Sequence, residues 1–349
     1  SGIDTHADIH SDEARVLAAV EQLIADHPPS SSSEREFLEA QYDAGLAWVH
    51  FPEGDGGLGV SPKLQKLVID AISAAGGPIG GAKNPIGYGM CAPAIVTHGT
   101  EEHKRLLRPL FSNEHIWCQM FSEPGAGSDV ASLAMKAERD GDEWIVNGQK
   151  VWTTLAHIAR YGLVICRTDP DLPKHRGITA FIVDMELPGV EVRPLRQMTG
   201  EAEFNEVFFS DARCPKENVV GEVNGGWAVA MALLGNQRGA GASVQALGFR
   251  GELDKLIELA KERGVNDDPI IRQRLAKAYT KVEIMRWFGY KALTSFLQGT
   301  APGADASIGK LFWSHHHRAY AIHRRWIGPV IPTLISRHDG SPPSIRSTP

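Results

Sequence analysis

The middle third of the chain, from about Ile116 to Gly221, alternates apolar and polar residues and is rich in β-branched side chains. Alternation with a period of two is typical of strands that bury one face. Proline, glycine and aspartate separate short segments of this kind, and their spacing predicts a compact sandwich or barrel. The predicted strands include YGLVICRT, GITAFIVDM, VEVRPL and FNEVFFSDARCP. The pair Asn147-Gly148, between EWIV and QKVWTT, also predicts a hairpin with a type I′ turn.

Helical patterns flank this region on both sides. Apolar residues recur with helical spacing in DEARVLAAVEQLIADH, and Ser33 followed by Glu36 predicts the capped start of a second helix. The segment SPKLQKLVIDAISAAGG predicts a third helix that ends at glycine. From Gly226 the helical pattern returns, and Asp267-Asp268-Pro269 is typical of the first turn of a long helix. Two or three antiparallel helices here predict part of a bundle.

The end of the chain departs from this pattern. From about residue 314 it reads HHHRAYAIHRRWIGPVIPTLISRHDGSPPSIRSTP, and its prolines and glycines cannot continue a bundle helix. We therefore expect the last helices of the bundle to be missing and hypothesise a truncation or a shifted reading frame. An intact genomic reading frame that encodes the same tail would contradict this hypothesis.

The charge of the chain argues against some partners. Its 349 residues carry a net charge of -6, so no basic field attracts nucleic acid or an anionic membrane surface. No apolar run reaches the length of a membrane span, and no apolar secretion signal follows the N-terminus. We therefore expect a cytoplasmic protein with neither kind of partner.

Cysteine and histidine do not form a recognisable metal pattern. The four cysteines lie far apart, and we expect buried free thiols at Cys91, Cys118, Cys166 and Cys214. The run His315-His316-His317 is predicted to be a solvated or partly packed helix face, because consecutive helical positions point in different directions and cannot converge on one ion.

The segment FSEPGAGSDVAS, residues 121–132, is a candidate ligand loop. Its glycines, Gly125 and Gly127, allow a tight turn without side chains in the way of a ligand. Taken alone, the segment is also typical of a β-turn with an Asx cap. It lacks the Gly-Lys-Ser/Thr ending of a P-loop and therefore does not predict a nucleoside triphosphate site.

Three segments, in this order, resemble the motifs of the acyl-CoA dehydrogenase family: FSEPGAGSDVAS, WIVNGQKVWTT and FNEVFFSDARCPKENVVGEVNGGW. The resemblance extends from the first helices to about Trp313. It implies an α+β protein with an N-terminal α-helical domain at 1–115, a central β-barrel domain at 116–222 and a C-terminal helical bundle at 223–349. It also implies FAD between the β domain and the C-terminal helices, across a subunit interface, and hence a homo- or hetero-oligomer such as a dimer or tetramer.

The resemblance assigns cofactor roles to residues of the first two motifs. It implies an apolar wall from Trp152 beside the flavin, and hydroxyls of Ser122 and Thr154 at the ring edge. The backbone amides of 120–122 would serve the pyrimidine end, and Ser128 would meet cofactor phosphate or the acyl-CoA. The implied cofactor-binding residues are Gln119, Met120, Phe121, Ser122, Gly127, Ser128, Trp152, Thr153 and Thr154, and the implied substrate-binding residues are Ser128 and Arg238.

The family reaction is the α,β-dehydrogenation of an acyl-CoA thioester, with electrons passed to an electron-transferring flavoprotein. It needs a glutamate base whose pKa is raised by desolvation. The chain lacks the late Tyr-x-Gly-Thr-x-Glu-type segment that usually carries the base, and the alternative position, directly before Arg238, is Gln237. Glutamine cannot take a proton at neutral pH. The catalytic base is therefore not identified, and the acidic residues of MTGEAEFNEVFF are predicted to form a polar strand face: Glu201, Glu203 and Glu206.

Three functions are consistent with these features. The first is an active FAD-dependent acyl-CoA dehydrogenase, which the flavin motifs favour. The second is a non-catalytic or partner-dependent subunit of a heteromeric acyl-CoA dehydrogenase, which the missing base favours. The third is a flavin-dependent oxidase or monooxygenase on the same fold, which would require fast reaction with oxygen. The chain also lacks the family's Arg-x-x-Phe-Gly element in ELAKERGVNDDPIIRQRL, so cofactor binding across the interface is expected to differ.

Overall fold

The computed structural model describes residues 5–239, 242–297, 308–309 and 311–319. Within these ranges it describes the side chains except at 5–10, 236–239, 242–247, 292–293 and 295–297. The chain divides into two compact units, Ser1–Gln237 and Arg238–Pro349.

The first unit begins with helices, of which the first three match the predicted helical segments. They are α1 (Thr5–Asp26), α2 (Glu34–Asp43), α3 (Gln65–Ala74), α4 (Ala92–His98), α5 (Glu101–Lys104) and α6 (Leu107–Phe111). Ser33 caps α2 as predicted: its Oγ accepts from the Glu36 N–H, and the Glu36 carboxylate accepts from the Ser33 N–H. Apolar residues of α1, α2 and α3, among them Val16, Phe37 and Val68, form one buried cluster.

One sheet of eight strands follows. The strands are β1 (Trp117–Met120), β2 (Lys136–Asp140), β3 (Glu143–Thr154), β4 (Tyr161–Arg167), β5 (Ile178–Asp184), β6 (Val190–Leu195), β7 (Phe204–Pro215) and β8 (Val219–Val220). Their order is β6-β7-β3-β2-β4-β5-β8, and β1 pairs with β4 in parallel. The four quoted strand predictions are confirmed as β4 to β7. Both faces of β4 and β5 are buried, since alternate residues join a cluster with the helices or a cluster within the sheet.

The predicted barrel is not closed. Among the described residues, β6 and β8 lie at opposite ends of the strand order without pairing to each other. The reason is the shortness of β8, whose residues Val219 and Val220 both pair with β5. After a single bridge at Gly225 the chain enters α7 (Gly226–Gly239), so no further strand remains to close the sheet in this part of the described chain.

The predicted hairpin at Asn147-Gly148 is wrong. Strand β3 runs through this pair, and the turn lies instead between β2 and β3, where Gly141 has a φ of +62°. Asn147 is held by distant contacts: its Nδ2 donates to Asp211 Oδ1 at 3.0 Å, and its Oδ1 accepts from the Asp211 N–H at 2.8 Å. Gly148 has a φ of +144° and lies so close to Met135 that a Cβ would be 2.8 Å from Met135 Cγ. The glycine therefore allows a β-bulge and a close approach.

The second unit contains α8 (Ala242–Glu262) and α9 (Pro269–Leu297), with further helical residues at 311–319. The predicted cap of α9 is confirmed, because Asp268 Oδ1 accepts from the Ile270 and Ile271 N–H groups at 2.8 and 3.0 Å. His316 is buried, whereas His315 and His317 are exposed, as expected for a partly packed face. The tail from residue 320 lies outside the described residues.

Neither a metal-ligand cluster nor a membrane span is found in the described part of the chain. No group of three or more histidine, cysteine, aspartate or glutamate side chains there is arranged to hold a metal ion. None of the helices within those ranges is long and apolar enough to cross a membrane. All four cysteines are buried free thiols, as predicted.

Candidate functional site

The candidate ligand loop begins where β1 ends. Strand β1 is buried beside β4, and the chain leaves the sheet after Met120. The carbonyl of Ser122 then accepts from the Val151 N–H at 2.9 Å, which fastens the loop to the end of β3. This bond brings Ser122 close to Trp152, which is distant in sequence, at one end of β3.

The loop contains a tight turn closed by two backbone hydrogen bonds. The Glu123 N–H donates to the Ala126 carbonyl at 2.9 Å, and the Ala126 N–H donates back at 3.1 Å. The predicted tight turn is present, but neither Gly125 nor Gly127 has a positive φ, so the turn itself does not depend on glycine. A Cβ at either glycine would meet no protein atom within 4 Å. The fold itself therefore does not require glycine at these two exposed positions.

A buried ion pair lies beneath the turn, and sequence reasoning missed it. Lys150 is 0% exposed and Glu123 is 8% exposed, and Lys150 Nζ donates to Glu123 Oε1 at 2.8 Å. The same ammonium donates to the Phe121 carbonyl at 3.2 Å. The Glu123 carboxylate also accepts from the N–H groups of Ala134 and Met135 at 2.7 and 3.0 Å. The pair thus joins three chain segments: the loop, β3 and the start of β2.

The electrostatics of this pair follow from its burial. Loss of solvent lowers the pKa of Lys150, and the Glu123 carboxylate opposes that change. A buried charge of either sign needs such a partner, because removing one member of a buried pair costs about 3 to 5 kcal/mol. The signal in the sequence was a lysine at an inward position of a predicted strand, where lysine is rarely found without a partner.

The loop is fastened on its other side as well. Arg167 on β4 donates to the carbonyls of Ala131 and Lys174 at 2.6 and 2.7 Å. Burial lowers the pKa of this guanidinium, which has backbone carbonyls rather than a carboxylate as its hydrogen-bond acceptors. Asp129, at the end of the glycine segment, forms an ion pair with Lys174 at 2.8 Å. The loop is therefore held at both ends by contacts from the sheet.

Trp152 occupies a bulge in β3. The register between β3 and β7 shifts between Lys150 and Thr153, and Trp152 in the shifted segment has a φ of +60°. A left-handed backbone at an aromatic residue costs about 1–2 kcal/mol. The indole is 62% exposed and meets the ring of Phe204 edge-on. The bulge thus turns a large apolar side chain outward instead of into the core.

The predicted cofactor residues separate into outward and inward side chains. Gly127, Ser128 and Trp152 are exposed, and Gln119, Ser122 and Thr154 are half-buried. Met120, Phe121 and Thr153 are buried as whole residues, so their side chains cannot meet a ligand without rearrangement. Thr153 Oγ1 is buried and has no hydrogen-bond partner among the residues whose side chains are described.

The residues connected with the missing base fall into two groups. The backbone of Gln237 and Arg238 is helical in α7, and their side chains lie outside those described. The predicted polar face on β7 is confirmed for Glu206, which alternates with the buried Asn205 and Val207 and accepts from Gln149 Nε2 at 2.8 Å. Glu201 and Glu203 are exposed but precede β7, so the predicted strand face is wrong for these two residues.

Comparison with protein families gives matches along most of the chain. The N-terminal domain model of acyl-CoA dehydrogenases matches residues 11–114, the middle domain model matches 118–212 and the C-terminal domain model matches 224–323. The candidate loop and the Trp152 bulge both lie within the middle domain.

Among curated proteins, the chain is 40% identical over 279 residues to the acyl-CoA dehydrogenase IpdE1 of Mycobacterium tuberculosis, covering 79% of this chain and 71% of that protein. Among solved structures, it is similar to a steroid ACAD, Tcur3481-Tcur3483, with 28% identity and a TM-score of 0.68 over 93% of this chain and 88% of the other. It is also similar to a chain of the ChsE4-ChsE5 complex from Mycobacterium tuberculosis, with 28% identity and a TM-score of 0.65 over 96% and 87% of the two chains.

Proposed function

Because this chain belongs to the acyl-CoA dehydrogenase family, we propose that it is an FAD-binding chain of an enzyme that forms the α,β double bond of an acyl-CoA thioester. FAD would supply the two-electron oxidation, and we propose an electron-transfer flavoprotein as the electron acceptor. We propose a thioester with a bulky polycyclic acyl group as the substrate, because one similar structure is described as a steroid ACAD.

The observation that carries the proposal is the outward placement of Trp152 beside the Ser122 loop. A flavin needs an apolar face, donors at its ring edge and room for its phosphates. The exposed indole offers the face, and the half-buried hydroxyls of Ser122 and Thr154 offer the donors. An aromatic residue held outward in a left-handed conformation adds little to folding, and this cost is typical of a residue kept for a ligand.

The glycine segment supports the same assignment. Neither Gly125 nor Gly127 is required by the backbone conformation or by a neighbouring protein atom. The remaining reason for glycine is the close approach of a ligand, and a glycine-containing turn of this kind suits a phosphate. We assign Ser128 to the same region, where its hydroxyl would donate to cofactor phosphate or to the acyl-CoA.

A second candidate function is a partner-dependent subunit. Gln237 stands where some family members carry the base, and glutamine cannot accept the α proton. Two of the similar structures bear the names of two proteins each, Tcur3481-Tcur3483 and ChsE4-ChsE5. In the partner-dependent form, this chain would hold FAD and part of the substrate, with Arg238 in contact with the thioester. A second chain would supply the carboxylate base.

The test is an absorption spectrum of the purified chain, recorded before and after anaerobic addition of acyl-CoA thioesters that include a steroid side-chain thioester. Bound flavin that bleaches supports an active dehydrogenase. Flavin that stays oxidised supports the partner-dependent form, and Gln237→Glu is then expected to restore bleaching. The matched control is Asn236→Asp, which adds the same charge at the neighbouring position and should not restore bleaching. Protein that binds no FAD, alone or with a partner chain, contradicts both forms.

A further inference from the structure

The peptide group between Phe121 and Ser122 has different surroundings at its two ends. Its carbonyl, that of Phe121, accepts from Lys150 Nζ at 3.2 Å. Its N–H, that of Ser122, has no acceptor among the residues that the structure describes. A hydrogen bond to a peptide oxygen polarises the whole amide group and makes its N–H a stronger donor, and a charged partner has the larger effect.

The position of the cation makes this polarisation effective. Lys150 is fully buried, so little solvent screens its charge from the neighbouring peptide. Its counterion, Glu123, shares its negative charge with two further donors, the N–H groups of Ala134 and Met135. The ammonium is therefore not the sole partner of the carboxylate, and it is fixed against a carbonyl at the base of the candidate flavin loop.

We propose that Lys150 is a positioning residue that raises the reduction potential of the bound flavin by polarising the peptide group between Phe121 and Ser122. This inference rests on the proposed function, in which the backbone amides of 120–122 serve the pyrimidine end of the flavin. The pyrimidine end gains negative charge on reduction, and a stronger N–H donor stabilises the reduced form more than the oxidised form. The role of Lys150 is thus electronic and is exerted through a peptide bond.

A purely structural role for Lys150 makes a different prediction. If the ion pair only holds the loop, removal of either partner should disturb the site and shift the potential in the same direction. If Lys150 acts through its charge, removal of the cation should lower the potential. Removal of the carboxylate charge, measured at a pH low enough to keep Lys150 protonated, should raise it, because the ammonium is then less neutralised. The sign of the two shifts separates the two roles.

The experiment measures the reduction potential of bound FAD by equilibration with a reference dye, on the full chain with its partner if one is needed. The variants are Lys150→Met, Glu123→Gln and the neutral pair Lys150→Met/Glu123→Gln. The control is Lys136→Met, which removes the same charge from an exposed position on the adjacent strand. We expect Lys150→Met and the neutral pair to weaken binding of reduced relative to oxidised flavin about tenfold, which is a shift of about 30 mV for a two-electron couple. Glu123→Gln should shift the potential upward, and Lys136→Met should leave it unchanged.

The neutral pair keeps the test decisive if Lys150→Met alone fails to fold, since it leaves no unpaired buried charge. Flavin that binds to the neutral pair at the same potential as to the unchanged protein would overturn the inference and leave the proposed function standing. Shifts of the same sign in Lys150→Met and Glu123→Gln would also overturn it. Failure of the unchanged protein to bind FAD with any partner would overturn the proposed function, and this inference with it.

Discussion

The indole of Trp152 meets the ring of Phe204 edge-on, with ring centroids 6.2 Å apart and an interplanar angle of 85°. The contact joins β3 to β7 at the bulge where Trp152 has a φ of +60°. An edge-to-face aromatic pair contributes about 0.5–1.5 kcal/mol, whereas the left-handed backbone costs about 1–2 kcal/mol. The two effects nearly cancel, so Trp152 contributes little to the stability of the fold.

Trp152→Gly is therefore expected to leave the free energy of unfolding within about 1 kcal/mol of its original value, because glycine adopts this backbone without strain. FAD binding should weaken at least about tenfold, since the apolar wall is lost. Urea unfolding of the FAD-free chain and a fluorescence titration with FAD measure the two effects.

The control for this prediction is Trp144 on the same strand. Its side chain is buried and meets Phe181 edge-on at 5.6 Å. Trp144→Ala should cost about 3–5 kcal/mol of unfolding free energy. Equal losses of stability in the Trp152 and Trp144 variants would show that Trp152 is a core residue and not a ligand contact.

The Lys150–Glu123 pair predicts strongly coupled stability effects. Lys150→Met leaves a buried carboxylate without its cation and should cost about 3–5 kcal/mol. The double variant Lys150→Met/Glu123→Gln should lose about 2 kcal/mol less unfolding free energy than the two single variants lose in sum, because neither charge is then unpaired. Urea unfolding of the four proteins in the cycle measures the coupling, and simple additivity would contradict a buried ion pair.

Gly127→Ala is expected to separate folding from binding. The added Cβ meets no protein atom within 4 Å and the backbone has no positive φ, so the unfolding free energy should change by less than about 1 kcal/mol. FAD or acyl-CoA binding, measured by titration, should weaken because the added methyl group would lie where the proposed ligand approaches the protein backbone. In the control, Gly177→Ala, the Cβ would lie 1.9 Å from the Asp169 carbonyl oxygen, and stability should fall sharply. Unaltered ligand binding by Gly127→Ala would show that the loop is not part of the ligand site.

His103 predicts a pH dependence of stability. Its Nδ1 accepts from the Thr100 N–H at 3.2 Å, so Nε2 carries the proton and donates to the Glu217 carbonyl at 2.7 Å. Burial lowers the pKa of His103. The unfolded chain therefore binds a proton more readily than the folded chain, and the stabilisation present above the ordinary histidine pKa of about 6.5 is lost as the pH falls through the lowered folded pKa.

The variant His103→Gln tests this assignment. Glutamine at this position keeps the capping box with Thr100 but does not titrate. We expect a smaller loss of stability between about pH 7 and about pH 5 in the variant than in the unchanged chain, measured by urea unfolding at each pH. Burial also lowers the pKa values of His50 and His115, so some pH dependence should remain. An undiminished pH dependence would show that His103 does not take part.

Local sequence was enough to predict the helix starts, most of the strands and the family. The Ser33–Glu36 box, the Asp268 cap and the alternation along β7 all depend on residues within a few positions of one another, and such contacts form wherever the pattern occurs. The order of the three motifs likewise predicted the family and its domain types.

Other features depend on partners far along the chain and emerged only in the packed fold. Asn147 is held within β3 by hydrogen bonds to Asp211, and Gly148 lies close to Met135, although the local sequence favours a turn. Lys150 pairs with Glu123, which lies 27 residues away in the sequence. The register shift between β3 and β7 places the Trp152 side chain on the outside. Burial and strand register are properties of the packed sheet, and a short stretch of sequence does not specify them. The helices and strands were therefore predictable, whereas the contacts that shape the candidate site required the fold.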